Sequence, residues 1–493
     1  MSIDKRATDK WPIAPAIAAV LAHVLALRAG FVWLDHAHIE RKLAIARPAA
    51  LGELFTEGFA GTGYYRPLVA VTLSIDAVVG APWFFHVTNL AWHAAAALAV
   101  AWAAEALGAS ARAARIAGVL FAVHPATAVV AGAIAFRSEA MIVVALLALV
   151  VAHRREKPLA AAAALLCGAL TKETALVLGP LFVAALEVER RLATPARQVS
   201  MPTLAAEAAA LGAALALRAA FAPAWRGAAP DLSLSEAIGT RLGSVARAGL
   251  AIGLPLDRSI CDATRVVGIG SLAALGGALV LTALLWLAWR RRGVAWLLVL
   301  SILPLLQVVP VPRWWSLHYA YVPLAFASIL VAERLARTER GRIAAIAGAA
   351  MLGAVSLLEG RRFASDDALW APEIAADPAC LEGQFYVAEV ARERGDLQTA
   401  TAHYEAALAL QPRVLAYVDR AAAVQNLAAT RLAAGDPAGA LAALEAEIAR
   451  EDARSEVLYL AAKAAHASGD RARARELIVR LQRRGWTGDP PPE

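Results

Sequence analysis

Residues 138–190 read SEAMIVVALLALVVAHRREKPLAAAAALLCGALTKETALVLGPLFVAALEVER, and how this stretch is divided decides the fold. It holds three apolar runs, 140–152, 158–170 and 174–186. They are separated by His153-Arg154-Arg155-Glu156-Lys157 and by Thr171-Lys172-Glu173. Each run is shorter than the about 20 apolar residues that usually cross a bilayer. They are either three short spans, or two spans with Lys172 and Glu173 buried in the second. The parity of the count sets the side on which everything downstream lies.

Working outward, clearer apolar runs occupy 11–34, 82–107, 116–136, 201–222, 268–289, 294–311, 319–332 and 343–358. Basic clusters stand between them at Lys5/Arg6/Lys10, Arg112/Arg115, Arg154/Arg155/Lys157, Arg190/Arg191/Arg197, Arg290–Arg292 and Arg334/Arg337/Arg340/Arg342. With the N-terminus in the cytoplasm and three spans in 138–190, every cluster falls inside, as cytoplasmic loops favour. The tight loops at Arg137, Lys172 and Arg313 then fall outside with one cation each. The two-span division breaks this pattern from Arg190 onward. The expectation is eleven spans, with the C-terminus outside. The run 11–34 reads as a retained span rather than a cleaved leader, because it is long and no A-x-A site ends it. Within 233–267, the moderately apolar 242–256 is interrupted by Arg247. One span there would invert all that follows, so an interfacial or re-entrant helix on the outer face is expected.

Composition agrees. Of 493 residues 59% are hydrophobic and 18% charged, against about 45–50% and about 25% in soluble domains. A wholly soluble enzyme is excluded, as are collagen-like, disordered and disulfide-scaffold chains. Cys167, Cys261 and Cys380 make no CxxC or Cys/His metal spacing, so neither a metal nor another cofactor is expected. Cys261 and Cys380 both fall outside and could pair, though nothing in the spacing requires it. The net charge of +7 follows the inner loops and does not indicate nucleic acid. Alanine and arginine richness hints at a high-GC bacterium, hence a bacterial inner membrane.

After residue 358 the chain becomes Ala/Glu/Arg-rich and self-similar. Gly395-Asp396, Gly435-Asp436 and Gly469-Asp470 lie 40 and then 34 residues apart, each followed by Ala400, Ala440 or Ala474. This is the tetratricopeptide (TPR) pattern, in which small residues let paired helices approach and Gly-Asp turns between them. A partial unit with Trp370 and Pro378 precedes the repeats. The architecture read from the sequence is all-α: a polytopic membrane bundle over 1–360, with outer loops 35–66 and 223–267, and an α-solenoid TPR domain over 361–493 on the outer, periplasmic side. Such stacks bind partner proteins in a concave groove.

Once the chain is oriented, the outer edge collects Asp35, His36, Arg66, Arg137, Glu139, Lys172, Glu173, Asp257, Arg258, Asp262, Arg265, Arg313 and His318. Cations suit phosphate and carboxylates suit a proton. In the second span His86, Asn89 and His93 share one helix face, which suits interhelical hydrogen bonding better than a metal. His124-Pro125 marks a structural break in the third.

An ordered series then stands out: Phe31-Val32-Trp33-Leu34-Asp35-His36, Tyr64-Tyr65-Arg66-Pro67-Leu68, Phe85-His86-Val87-Thr88-Asn89-Leu90 with His93, and Leu120-Phe121-Ala122-Val123-His124-Pro125. Phe136-Arg137-Ser138-Glu139, Leu170-Thr171-Lys172-Glu173-Thr174, Pro255-Leu256-Asp257-Arg258-Ser259 and His318-Tyr319-Ala320-Tyr321-Val322-Pro323 complete it. The series, with the trailing repeats, resembles the polytopic GT-C glycosyltransferase-like family that carries C-terminal TPRs, whose eukaryotic members are the transmembrane-and-TPR O-mannosyltransferases. The resemblance implies an inverting transfer, outside the membrane, of a sugar from a polyprenyl-phosphate lipid to a hydroxyl of an exported protein or glycan. It implies Asp35 as general base and Arg66, Arg137, Lys172, Arg258 and Arg313 opposite the leaving phosphate. His36, Glu139, Glu173, Asp262, His318 and Tyr319 complete the implied substrate site. The sequence departs from the family where His36 follows Asp35 in place of a second acid, and where His318 precedes Tyr319 in place of arginine. A non-catalytic TPR scaffold for envelope assembly is the alternative. A transporter is a third class, though no inverted repeat is visible.

Overall fold

The structure, a computed structural model, describes residues 13–40, 52–56, 58–59, 63–193, 200–222, 231–255, 258–306, 314–411 and 413–486. The chain is mostly helical and divides into two compact units, Met1–Ile260 with Val266–Ser365, and Cys261–Arg265 with Asp366–Glu493.

In chain order the first unit contains α1 (Ala14–His23), α2 (Leu34–His38), α3 (Pro67–Asp76), α4 (Pro82–Ala106), α5 (Ala111–Ala122), α6 (Ala128–Gly132), α7 (Arg137–Arg154), α8 (Pro158–Thr171), α9 (Ala175–Ala193), α10 (Met201–Phe221), α11 (Leu234–Gly253), α12 (Leu272–Arg291), α13 (Val294–Ser301), α14 (Tyr321–Leu335) and α15 (Glu339–Glu359). Prolines begin α3, α4 and α8, where their fixed φ suits the first turn and no amide is lost. The hydroxyls of Ser110, Ser271 and Thr338 cap α5, α12 and α15.

The deciding stretch folds as three separate helices, α7, α8 and α9. Glu156 at φ 52° turns the chain between the first two, and Lys172 in extended conformation ends α8. Five helical segments among the described residues are long and apolar enough to cross a bilayer: Pro82–Ala106, Ile134–Arg154, Met201–Phe221, Leu272–Arg291 and Glu339–Ala364. Four shorter apolar helices accompany them: Ala14–Arg28, Pro67–Asp76, Pro158–Thr171 and Val294–Leu306. Helix α7 is enclosed along most of its length. By contrast α12 and α15 expose Leu279, Trp289, Ile346 and Met351, the apolar exterior of an integral membrane bundle.

The run 116–136, expected as one span, is broken. Helix α5 stops at Ala122, and the chain bends by 57° into Pro125–Gly132. Proline cannot donate an amide and disfavours helix in the residue before it. Carbonyls released at such a break need partners when no water is near. His23 Nε2 and His93 Nε2 meet the Ala122 carbonyl at 3.2 and 3.0 Å. Ser356 Oγ donates to the Val123 carbonyl at 2.7 Å, and Asn89 Nδ2 to those of Val130 and Ala131 at 2.7 and 3.1 Å. The polar face of α4 thus serves interhelical hydrogen bonding.

Helix α11, a capping-box helix from Ser233, runs parallel to α12. Gly239 lies against Val267 and Gly268, Gly277 against the Leu242 carbonyl, and Gly249 against Val280.

The second unit contains α16 (Asp366–Ala376), α17 (Leu381–Glu393), α18 (Leu397–Leu408), α19 (Arg420–Ala433), α20 (Pro437–Ile448), α21 (Ser455–Ala467) and α22 (Arg471–Arg483). Helices α17/α18, α19/α20 and α21/α22 are hairpins with one turn chemistry. Gly395, Gly435 and Gly469 sit at φ 79°, 80° and 85°, open to glycine without a Cβ penalty. The next aspartate caps the following helix, Asp396, Asp436 and Asp470 accepting from the amides of Thr399, Gly439 and Arg473. Ala400, Ala440 and Ala474 are fully buried where the helices meet.

Residues 261–265, from the segment between α11 and α12, belong to this second unit. Thr264 and Arg265 pair antiparallel with Leu415 and Val414. Arg265 bridges to Asp377 at 2.9 Å, and Cys261 forms a disulfide with Cys380. Asp262 accepts from the Tyr417 amide at 3.0 Å. Its carboxylate, expected in the substrate group, is thus bound by backbone within the second unit.

Candidate active site

Segments from five parts of the chain meet in the first unit: 32–36, 64–66, 136–139, 172–173 and 316–319. Arg66, at the residue before α3, grips Glu173 with both faces of its fork, Nε to Oε2 at 3.1 Å and Nη2 to Oε1 at 2.6 Å. Tyr64 lies under the guanidinium at 4.0 Å from its centroid. Lys172 Nζ donates to Glu139 Oε1, and His318 Nε2 stands 3.6 Å from the same oxygen. Ser316 Oγ engages the other ring nitrogen of His318 at 2.6 Å. Tyr319 presents its ring 5.8 Å from Lys172 Nζ. The result is a buried, charge-alternating cluster of Arg66, Glu173, Lys172, Glu139 and His318. Burial alone would raise the Glu173 carboxyl, but the Arg66 charge and hydrogen bonds, with Lys172, outweigh it and bring Glu173 down to about 2.

Asp35 is fully buried beside this cluster. Its Oδ1 accepts from Ala135 N–H at 2.6 Å, and its Oδ2 from Ile134 at 3.2 Å and Val32 at 3.4 Å. It therefore caps the short 134–136 turn that leads into α7. Removal from water raises its pKa, the Ala135, Ile134 and Val32 amides and His36 oppose that, and the balance stands at about 7. The turn that presents it is strained. Trp33 holds φ 57° and ψ −129°, a region that L-residues occupy at a cost of about 1–3 kcal/mol and mostly near functional sites. Its ring packs 4.7 Å from Phe136, which in turn lies 4.4 Å from His318.

Four expected site residues have their described partners outside this cluster. Arg137 is fully buried and turned inward: Nη1 pairs with Asp76 at 2.6 Å, while Nη2 donates to the Phe85 carbonyl at 2.9 Å and to Thr88 Oγ1 at 2.8 Å. It ties α7 to α3 and α4 and does not join the cluster of paired charges. Arg258 pairs with Glu359 at 2.5 Å. His36 pairs along its own turn with Glu40 at 2.5 Å. Asp262 is in the second unit. Arg313 and Asp257 lie outside the described residues. Sequence reasoning missed Asp76 and Ser316, and quoted Tyr64 in a motif without giving it a place in the site. Asp76 had a signal, an acid in an otherwise apolar helix, PLVAVTLSID, where such a group needs a partner. Among the described residues no group of three or more His, Cys, Asp or Glu is placed to hold a metal.

The arrangement offers two cations, each held by a carboxylate, and one fully buried carboxyl with its pKa raised to about 7. Protein O-mannosyl-transferase Tmtc2 of Drosophila melanogaster is 33% identical over 128 residues, 24% of this chain and 14% of that protein. The match supports a GT-C-like family. The shared stretch thus spans about a seventh of the relative. Among solved structures, the oligosaccharyltransferase of Archaeoglobus fulgidus, tethered to an acceptor peptide containing the NVT sequon, aligns over 83% of this chain and 60% of its own. The TM-score is 0.41 and the identity 14%. No family model matches the chain.

Proposed function

We propose that the protein is a membrane glycosyltransferase that moves a sugar from a polyprenyl-phosphate donor to a hydroxyl of an exported protein or glycan with inversion. The carrying observation is the convergence of Arg66–Glu173 and Lys172–Glu139–His318 beside Asp35, from turns far apart in sequence. A phosphate leaving group needs positive charge rather than a proton donor. Arg66 and Lys172 supply it by exchanging their carboxylates for the donor phosphate. Asp35, with its pKa near 7, suits a base working near neutrality. Reaching an acceptor hydroxyl requires the Val32–Asp35 turn to open, and strain at Trp33 lowers the cost of opening.

In this reading the bundle crosses the membrane eleven times with the N-terminus in the cytoplasm, the shorter helices supplying the remaining crossings. The hairpin repeats form a TPR domain whose groove receives a protein partner. A disulfide between Cys261 and Cys380 favours an oxidising compartment, here the periplasmic side of a bacterial inner membrane. A scaffold reading draws on a different observation, that each described charge in the cluster is already paired. The deciding experiment supplies purified protein with a polyprenyl-phosphate sugar and an acceptor. Asp35→Asn abolishes transfer at unchanged expression. Undiminished transfer removes the assignment, and a phenotype confined to loss of residues 366–493 favours the scaffold.

A further inference from the structure

The cationic ends of α12 and α14 enclose a groove that the proposed activity does not use. The two helices end at the same level, and α13 starts there and fills the space between them. Leu284, Leu287, Ala295, Val299 and Leu330 pack together below the opening. Above that contact is an open cavity of about 320 Å³, at the lower end of the about 300–1,000 Å³ usual for small-molecule sites. Its walls are Leu287, Leu330 and Val331, and its mouth is set with Arg291, Arg334 and Glu333. On the same edge Arg290 lies over Trp286 and Trp289, 5.4 and 5.6 Å from the ring centroids, and both indoles are exposed. Tryptophan at the end of an apolar helix marks the headgroup level of a membrane.

A groove with apolar walls inside the hydrocarbon and guanidiniums at the headgroup level has the polarity of a glycerophospholipid. We propose that it binds an acidic phospholipid from the surrounding leaflet, with one acyl chain along Leu287, Leu330 and Val331 and the phosphodiester between Arg291 and Arg334. Charge complementarity selects this occupant. Two guanidiniums against one carboxylate leave the mouth net positive, and arginine holds phosphate oxygens in a fork that an ammonium cannot form. Glu333 repels a second anion and limits the site to one headgroup. A zwitterionic lipid brings no net charge to repay desolvation of the two arginines. The inference rests on the membrane bundle and not on the proposed chemistry.

The full chain, purified in mild detergent, is exchanged into mixtures of phosphatidylglycerol and phosphatidylcholine, and retained lipid is counted by native mass spectrometry. Phosphatidylglycerol is expected to be retained about tenfold over phosphatidylcholine. Arg291→Gln with Arg334→Gln brings the ratio close to one. Leu330→Trp, which fills the groove and keeps both arginines, also removes retention. Arg340→Gln with Arg342→Gln removes the same charge from the same membrane edge outside the groove, and leaves the ratio unchanged. Equal retention of both lipids by the parent overturns the proposal. So does an equal loss in the Arg340/Arg342 variant, which would show a diffuse basic belt. The parent and all variants are compared at matched gel-filtration profiles, so that a misfolded variant is replaced by Leu330→Trp as the reading of the site.

Discussion

Arg137→Met separates two roles that the sequence could not tell apart. A cation at the outer edge of a membrane bundle invites a phosphate, yet the guanidinium of Arg137 has no exposed surface and faces Asp76, Thr88 and the Phe85 carbonyl. Methionine keeps the length of the side chain and removes the charge. Asp76, itself 1% exposed, then keeps, among the described residues, the Thr88 hydroxyl at 2.6 Å. Breaking a buried pair from one side costs about 3–5 kcal/mol, because the remaining charge stays uncompensated. At the lower end of the usual thermal sensitivity of larger chains, about 2 °C per kcal/mol, the Tm in detergent falls by about 6–10 °C. Adding Asp76→Leu removes the stranded charge, so the double variant recovers most of the loss, and the cycle shows strong coupling between the two positions. The assay is thermal unfolding by intrinsic tryptophan fluorescence or by detergent-resistant folding on gel filtration, on four proteins at one pH. An Arg137→Met protein with the parent's Tm and a raised apparent KM for the lipid donor would refute the reasoning and return Arg137 to the substrate.

Asp35 gives a pH signature. A carboxyl whose pKa rises from its ordinary value to about 7 in the folded state holds its proton more tightly there than in the unfolded chain. Its contribution to stability is therefore full below about pH 4 and is lost as the pH climbs toward about 7. The difference in Tm between the parent and Asp35→Asn should shift across that window, and a difference that is flat from pH 4 to 8 contradicts the assignment. Glu173 runs the other way: its folded-state value near 2 stabilises above its ordinary range and is lost in strong acid, so Arg66→Met should erase an acid-side stability gain seen in the parent. Cys380→Ser opens a loop whose closure, at a separation of 119 residues, is worth about 4–5 kcal/mol in the chain-entropy account. Hairpin-unit unfolding followed with and without reductant should show that loss in the parent and none in the variant. Asn89→Leu leaves the Val130 and Ala131 carbonyls without a donor and should lower stability by about 1–3 kcal/mol, measured as a Tm shift.

What was legible depended on whether the signal was local. The Gly-Asp turns are local, since a residue at positive φ followed by a capping aspartate needs nothing beyond its own hairpin. Three apolar runs around Arg154 and Lys172 are also local, and they fold as three helices. The bend at His124-Pro125 could be anticipated from proline, but the partners that make it tolerable could not. His23, Asn89, His93 and Ser356 come from three other helices, and which carbonyls they reach follows only from packing. In residues 254–271 the sequence offered Cys261 as a possible partner of Cys380, but no sign that Thr264 and Arg265 would pair with Leu415 and Val414. Apolar and polar residues are mixed in that stretch, and the pairing is a matter of tertiary register.

The charged turns show the same limit in sharper form. Sequence orientation put Arg66, Arg137, Glu139, Lys172 and Glu173 at one depth, and depth was the most it could give, because hydropathy has no angular information about a bundle. Packing then sorted them by partner. Arg137 met Asp76, an acid placed one helix away on α3, and became structural. Arg66 and Lys172, at the ends of α3 and α8, met Glu173 beside Lys172 and Glu139 in the first turn of α7, so each pair joins groups at helix ends and not along helix flanks. That difference is the physical reason for proposing donor phosphate at the second group: an anion entering beside Arg66 competes with Glu173 between α8 and α9, whereas one entering beside Arg137 would have to break its ties to α3 and α4. The cations that can change partners cheaply are the ones able to serve a substrate that arrives and leaves.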